Sequence, residues 1–453
     1  MSNFLFDEFD KTTPTAWKQK IQVDLNGEDY NESLLWKTNE GIVIKPFYTS
    51  EDRKNYDPIQ FKEGFNICQT IFVDQENIAN SLAIDALERG ANSILFKANS
   101  IFDYRKLLLD IDTKSIVLHF HFSFLDAKFQ TEIASYINSE KTYFQTDIIG
   151  NLAESGNWFV SLKEDFDTLD TIQKKSNNCI AVAADLYQNT GATITQQLAY
   201  SLAHANEYLN QFGGIAAKKI HFIFSVGSNY FFEIAKLRAF RILWSRLLEE
   251  YNISNISAHL FVQPSHRNKT LYDYNVNLLR TTSECMSAIL GGANTVSNIS
   301  YDTIYQKSNE FGERIARNQL LILQQESSLG NAQNMADGSY YIESITHQLA
   351  EKALVLFKEI EKSGGFLKQL KIGTIQKKIK SSASKEEKEA RLLGTNFQQN
   401  SNDRMQQNIV LYPFVKKRPI KTLISPLTRK RISESLEKER LLSEKEEITS
   451  KNE

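Results

Sequence analysis

With 453 residues, 41% of them hydrophobic and 24% charged, the chain is large enough for one domain of about 300 residues plus extensions. A formal net charge of -2 gives no electrostatic case for nucleic acid or for an anionic membrane, and no stretch approaches the roughly 20 apolar residues of a membrane helix. The opening MSNFLFDEFD has no basic segment before its apolar run, so no signal peptide is read there. Cys68, Cys179 and Cys285 lie far apart in apolar segments and read as reduced core residues; a cytoplasmic location is expected.

In chain order, a helix is predicted over residues 14–24, with Thr13 as N-cap, Pro14 in the first turn and Trp17 and Ile21 as its apolar stripe. A strand-like run follows at 41–48. Residues 1–64 are expected to form an extended arm. From residue 67 short β-rich runs alternate with helical periods. The predicted strands are 67–73, 93–97, 116–121, 143–149, 179–184, 221–226, 258–262 and 295–300. The predicted helices are 76–89, 104–109, 127–138, 162–174, 193–212, 230–251, 271–290 and 310–325. Eight such repeats predict an α/β fold, a (β/α)8 TIM barrel over residues 65–370, because parallel strands need helical crossovers. A doubly wound sheet would want a glycine-rich loop after its first strand, where VDQENIAN stands instead. The helix over 271–290 mixes Asn275, Asn277, Arg280 and Glu284 with apolar residues, so something is expected to pack on both faces. A strong amphipathic helix follows over 338–366. Residues 371–453 are expected to be a linker and charged tail, partly disordered or ordered only on a partner.

His119 and His121 fall on one face of one strand and suggest a metal pair of the barrel-hydrolase kind. Further ligands are wanted at the carboxyl ends of other strands; His221 and His259 begin theirs, and only His266 and Asp302 follow one. Two histidines hydrogen-bonded inside a polar lumen are the favoured reading, and a metal-dependent hydrolase is kept as an alternative. Asp185 and Tyr187, just past the fifth strand, stand where a barrel enzyme places chemistry, with no base or nucleophile converging on them in the sequence. Lys45, Lys269 and Arg280 are candidate anion contacts or plain surface charges. The pairs Gly213-Gly214, Gly291-Gly292 and Gly364-Gly365 each follow a helical pattern and read as helix ends.

Several long motifs carry more. SVGSNYFFEIAKLRAFRILWSRL from Ser225, NKTLYDYNVNLLRTTSECMSAILGGANTV from Asn268, ERIARNQLLILQQES from Glu313 and DGSYYIESIT from Asp337 resemble methylmalonyl-CoA mutases. IKPFYTSED, GFNICQTIFVD and ALERGANSILF look like the small subunit of the heterodimeric bacterial enzyme. The resemblance runs to about Phe397. It implies a (β/α)8 barrel threaded by coenzyme A and, in catalytic chains, a cobalamin domain with an Asp-x-His-x-x-Gly loop; here no histidine follows His347.

The resemblance also locates losses. The catalytic tyrosine's place falls on Gln60, the second arginine of the following run becomes Cys68, and the catalytic histidine falls on Leu186 with Gln188 retained. An arginine expected after the fourth strand finds only ESGNW (residues 154–158). A leucine can neither hydrogen-bond a thioester carbonyl nor act as general acid. The resemblance thus implies a non-catalytic small subunit, with no catalytic, cofactor or metal residue of its own. It would stabilise a large subunit that binds adenosylcobalamin and isomerises (R)-methylmalonyl-CoA to succinyl-CoA. A barrel completed by a separate small cobalamin protein is the alternative.

Overall fold

The computed structural model describes residues 8–10, 12–53, 64–331, 334–416 and 420–452. The arm comes first. Helix α1 (Pro14–Asp24) is capped by Thr13, whose hydroxyl accepts from the Ala16 amide at 3.1 Å. It buries none of its residues: Trp17 is half exposed and stands edge-on to Phe47, ring centroids 6.3 Å apart. Of the strand read over 41–48, only Val43–Ile44 pairs, antiparallel to Trp36–Lys37.

Eight parallel strands follow: β1 (Asn66–Val73), β2 (Ser93–Ala98), β3 (Val117–Phe122), β4 (Thr142–Phe144), β5 (Ile180–Ala183), β6 (Ile220–Val226), β7 (Leu260–Pro264) and β8 (Thr295–Val296). Their order is β4-β3-β2-β1-β8-β7-β6-β5. The seam between β4 and β5 is bridged by backbone bonds from Phe144 to Asn178 (2.9 Å) and from Ala181 to Thr146 (2.8 Å), so the sheet is nearly closed into a barrel.

The helices between and beyond the strands are α2 (Glu76–Glu88), α3 (Tyr104–Leu107), α4 (Ala127–Ile137), α5 (Ile148–Ser155), α6 (Leu162–Lys175), α7 (Asp185–Asn189), α8 (Ile194–Phe212), α9 (Tyr230–Glu250), α10 (Val276–Leu290), α11 (Glu310–Leu321), α12 (Tyr340–Lys362), α13 (Thr374–Glu389) and α14 (Glu434–Asn452). Alternate strand residues face outward and make the main core with these helices. Phe222 and Phe224 of β6 pack on Phe240 and Trp244 of α9 at centroid distances of 4.5 to 4.9 Å. Phe96, Phe120 and Phe144 stack across β2, β3 and β4. Each such buried ring contributes about 1.5–3 kcal/mol by removing apolar area from water. Helix α12 lies over α8 and α9 as an outer layer. No helix among the described residues is long and apolar enough to cross a membrane.

Three elements differ from their sequence reading. The run 143–149 is a strand only to Phe144, because the Asp147 carboxylate caps the Gly150 amide (2.7 Å) and starts α5 at Ile148. The last barrel strand stops at Val296 rather than residue 300. Helix α10 starts at Val276, not 271, since the buried Asn277 side chain bonds both the N–H and the carbonyl of Thr270 (3.1 and 2.9 Å) and holds that segment as a loop.

The charged tail is the largest correction. Among its described residues, Glu437 and Glu444 are buried on α14, and the segment before α14 is tied to the barrel by backbone bonds. Leu427 N–H donates to Ala153 (2.7 Å), Lys430 N–H to Asn189 (3.0 Å) and Ile432 N–H to Arg267 (2.8 Å).

Candidate functional site at the barrel mouth

Inward-facing residues stack in layers. The lower lumen is filled by rings: Tyr143 stacks on His259 (centroids 4.0 Å) and on His119 (5.1 Å), meets His221 at 5.4 Å, and Phe261 stands edge-on to His119 at 4.8 Å. Cys68, Leu95, Ala181, Ile223 and Phe261 form an apolar cluster beside them. His119 and His221 are buried with neither ring nitrogen hydrogen-bonded, so His119, expected to form a hydrogen-bonded pair with His121, is instead packed among the rings of Tyr143, His259 and Phe261. Burial holds His119 well below the usual histidine range and His221 down to about 3; both are neutral rings at physiological pH. His121 lies a layer higher than His119. Among the described residues no group of three His, Cys, Asp or Glu side chains gathers where it could hold a metal ion.

The upper layer opens at the carboxyl ends of the strands, the end where barrels of this kind carry chemistry. It contains Thr70, whose hydroxyl pairs with that of Ser297 (3.1 Å), together with Lys97, His121 and Gln145. Desolvation in the mouth lowers the Lys97 ammonium, and although the His121 ring reaches solvent, desolvation together with the Lys97 charge brings it to about 4. Phe72, at the end of β1, remains 64% exposed at the rim.

Asp185 is buried at the start of α7 and accepts from Arg429 of the tail (2.6 Å), which also donates to Glu154 (2.6 Å). The ESGNW segment that lacks its expected arginine therefore receives one from 275 residues further on. Tyr187 is sealed in the core: its hydroxyl pairs with His204 Nδ1 (2.9 Å), and His204 Nε2 meets Asp147 (3.0 Å), which also accepts from Tyr208 (2.7 Å). Burial pushes the Asp147 carboxyl up, but His204 and these hydrogen bonds outweigh it and hold it below its ordinary value. Tyr187, His204 and Tyr208 are fully buried and the Asp147 side chain nearly so, and the chain of groups braces β4 and α5 against α8.

Leu186 is buried in α7, and Gln188 donates to Glu233 (3.0 Å) and accepts from Lys236 (2.8 Å). Cys68 lines the lumen, its thiol pushed up to about 12 by burial. Gln60 lies outside the described residues. Lys45 is an exposed cation paired with Asp52. Lys269 is wholly buried against Glu284 (2.7 Å) and Asn268 (2.8 Å), while Arg280 donates to Thr270, Asn277 and the Leu393 carbonyl. The polar face of α10 thus grips its own chain; of the four polar residues singled out there, only Asn275 is exposed. Lys97, Gln145, Tyr143, Phe261 and Arg429 were missed. Alternation in SILFKA places Lys97 inward, whereas no local signal brings Arg429 to the mouth.

An eight-stranded parallel barrel whose carboxyl-end mouth gathers the polar side chains is the class this fold and site define. The sequence profile of the methylmalonyl-CoA mutase family matches residues 111–443. The methylmalonyl-CoA mutase small subunit of Porphyromonas gingivalis is 31% identical over 420 residues, covering 83% of this chain and 67% of that one. The methylmalonyl-CoA mutase of Rhizobium meliloti is 36% identical over 221 residues, 46% of this chain and 30% of the relative. The large subunit of Streptomyces virginiae is 26% identical over 434 residues, covering 82% and 59%. The chain belongs to the methylmalonyl-CoA mutase family. It spans from 30% to 67% of the length of these relatives.

Proposed function

We propose that this chain is the non-catalytic small subunit of a methylmalonyl-CoA mutase, pairing with a large subunit that binds adenosylcobalamin and converts (R)-methylmalonyl-CoA to succinyl-CoA. The observation that carries the reading is the lumen. A barrel threaded by coenzyme A needs a channel along its axis; here Tyr143, His119, His259, Phe261, Leu95 and Ile223 occupy it, and close-packed interiors do not open for a chain of methylenes without cost. Leu186 and Cys68, standing where acid–base and cationic groups are expected, support the same conclusion.

The residues also do not fit a resident cobalamin. The tail, bolted by Arg429 to Asp185 and Glu154, covers part of the mouth over which such a group would have to sit. The role left to the chain is to pair with and stabilise a catalytic partner. The test is co-expression with the large subunit of the same source. A stable one-to-one complex, with the large subunit alone less stable than in the complex, is the predicted result. A large subunit that neither binds this chain nor gains stability from it would refute the proposal.

A further inference from the structure

The upper lumen holds a group of polar side chains that the scaffold reading does not use. Lys97, His121 and Gln145 occupy one layer on three neighbouring strands: Lys97 and His121 are register partners, and Gln145 follows β4 with its amide N–H bonded to the Phe120 carbonyl (2.7 Å). Thr146, the next residue, turns outward to Gln130 (2.8 Å), which leaves Gln145 facing the lumen.

None of the three side-chain donor groups has a hydrogen-bond partner among the described residues. Among the described residues Lys97 forms no hydrogen bond or ion pair; its ammonium only stands over the Phe72 ring at 5.9 Å. Gln145 is 7% exposed and its Nε2 has no acceptor. His121 makes no hydrogen bond, and its ring keeps solvent contact inside the mouth. The two carboxylates nearest the mouth, Asp185 and Glu154, are both engaged by Arg429. A half-buried cation beside a buried amide donor, neither with an acceptor from the protein, favours a ligand that supplies oxygens to both. The aromatic layer below closes the floor, so what fits is small.

We propose that the barrel mouth binds a small oxyanion, a carboxylate or phosphate, on the ammonium of Lys97 and the amide of Gln145. His121 borders the site as a neutral ring, and Phe72 forms its outer wall. The inference does not depend on the subunit role: an anion can bind whether or not the chain is catalytic.

The test is calorimetric titration of the whole chain, in chloride-free buffer, with inorganic phosphate and separately with acetate. Saturable one-to-one binding of either in the millimolar range or tighter is expected, and which of the two binds identifies the ligand class. Lys97→Met is expected to weaken it at least about tenfold. Gln145→Leu should weaken it less, and Lys141→Met, a surface control, should leave it unchanged. Without anion, Lys97→Met should melt no lower than the parent, since it removes an unpaired cation. Absence of saturable heat with both anions, or equal affinity in Lys97→Met, would overturn the proposal. Should Lys97→Met fail to fold, Gln145→Leu binding as tightly as the parent would overturn it equally.

Discussion

Single residues decide how much of this barrel is fold and how much is site. Lys269 came out of the sequence as a candidate anion contact and Glu284 as part of a helix expected to be packed on both faces, and the two are paired with each other inside the chain. Each is buried, and neither can lose its partner without leaving an uncompensated charge. Glu284→Gln is therefore predicted to destabilise the chain by about 3–5 kcal/mol in denaturant unfolding. The double replacement Lys269→Met with Glu284→Leu should recover most of that loss. Equal stability of Glu284→Gln and the parent would contradict the buried pairing.

The lumen histidines give a pH dependence with a definite sign. Burial holds His221 to about 3, against about 6.5 in the unfolded chain. The unfolded state thus takes up a proton that the folded state refuses. Stability contributed by the neutral ring is complete above pH 6.5 and is lost as pH falls from there towards 3, at up to about 1.4 kcal/mol per pH unit for each such histidine. His221→Phe, if accommodated, should flatten that slope in urea midpoints measured between pH 7 and pH 4. An unchanged slope would show that His221 does not titrate as a buried ring.

At the scale of elements, the repeat of apolar runs and helical periods located all eight strands, all but the fourth and eighth within about two residues at each end, and the helices 76–89, 127–138, 193–212 and 230–251 within about one. Period and burial are local properties of a sequence. What was not legible depended on distant partners. One exception is local: the apolar pair Ile148 and Ile149 continues a strand pattern, and the neighbouring Asp147, capping the Gly150 amide, turns it into a helix. The tail reads as solvent-seeking because its charges have no partners nearby in sequence. In space Glu437 accepts from the Leu271 amide (2.8 Å) and Glu444 from the Tyr272 hydroxyl (2.7 Å), more than 160 residues away.

Arg429 is the bolt of that tail. Arg429→Ala is predicted to raise amide hydrogen exchange in residues 420–432 and in the turn 153–158 by about tenfold or more, through local opening at little cost to the barrel strands. Exchange unchanged in both segments would mean that the backbone bonds alone hold the tail.

On the scale of the whole molecule, the chain is a nearly closed eight-stranded barrel whose axis is filled by side chains. The family and the barrel were legible in long motifs and in the strand count. The filled axis was not, because which of two alternating residues faces inward, and whether eight such residues meet or leave a channel, depends on barrel tilt and closure. Tyr143 and Phe261 illustrate this: each is an ordinary strand residue in sequence, and together with three histidines they close the lumen. Tyr143→Ala is expected to cost about 3–5 kcal/mol through the cavity it leaves, a loss that thermal unfolding would detect.

The most direct measurement is mutase activity with adenosylcobalamin and (R)-methylmalonyl-CoA, assayed on this chain alone, on the large subunit alone and on the two together. No turnover by this chain alone is expected, and the activity of the pair should depend wholly on the large subunit. Turnover by this chain alone at the rate of the pair would contradict that expectation.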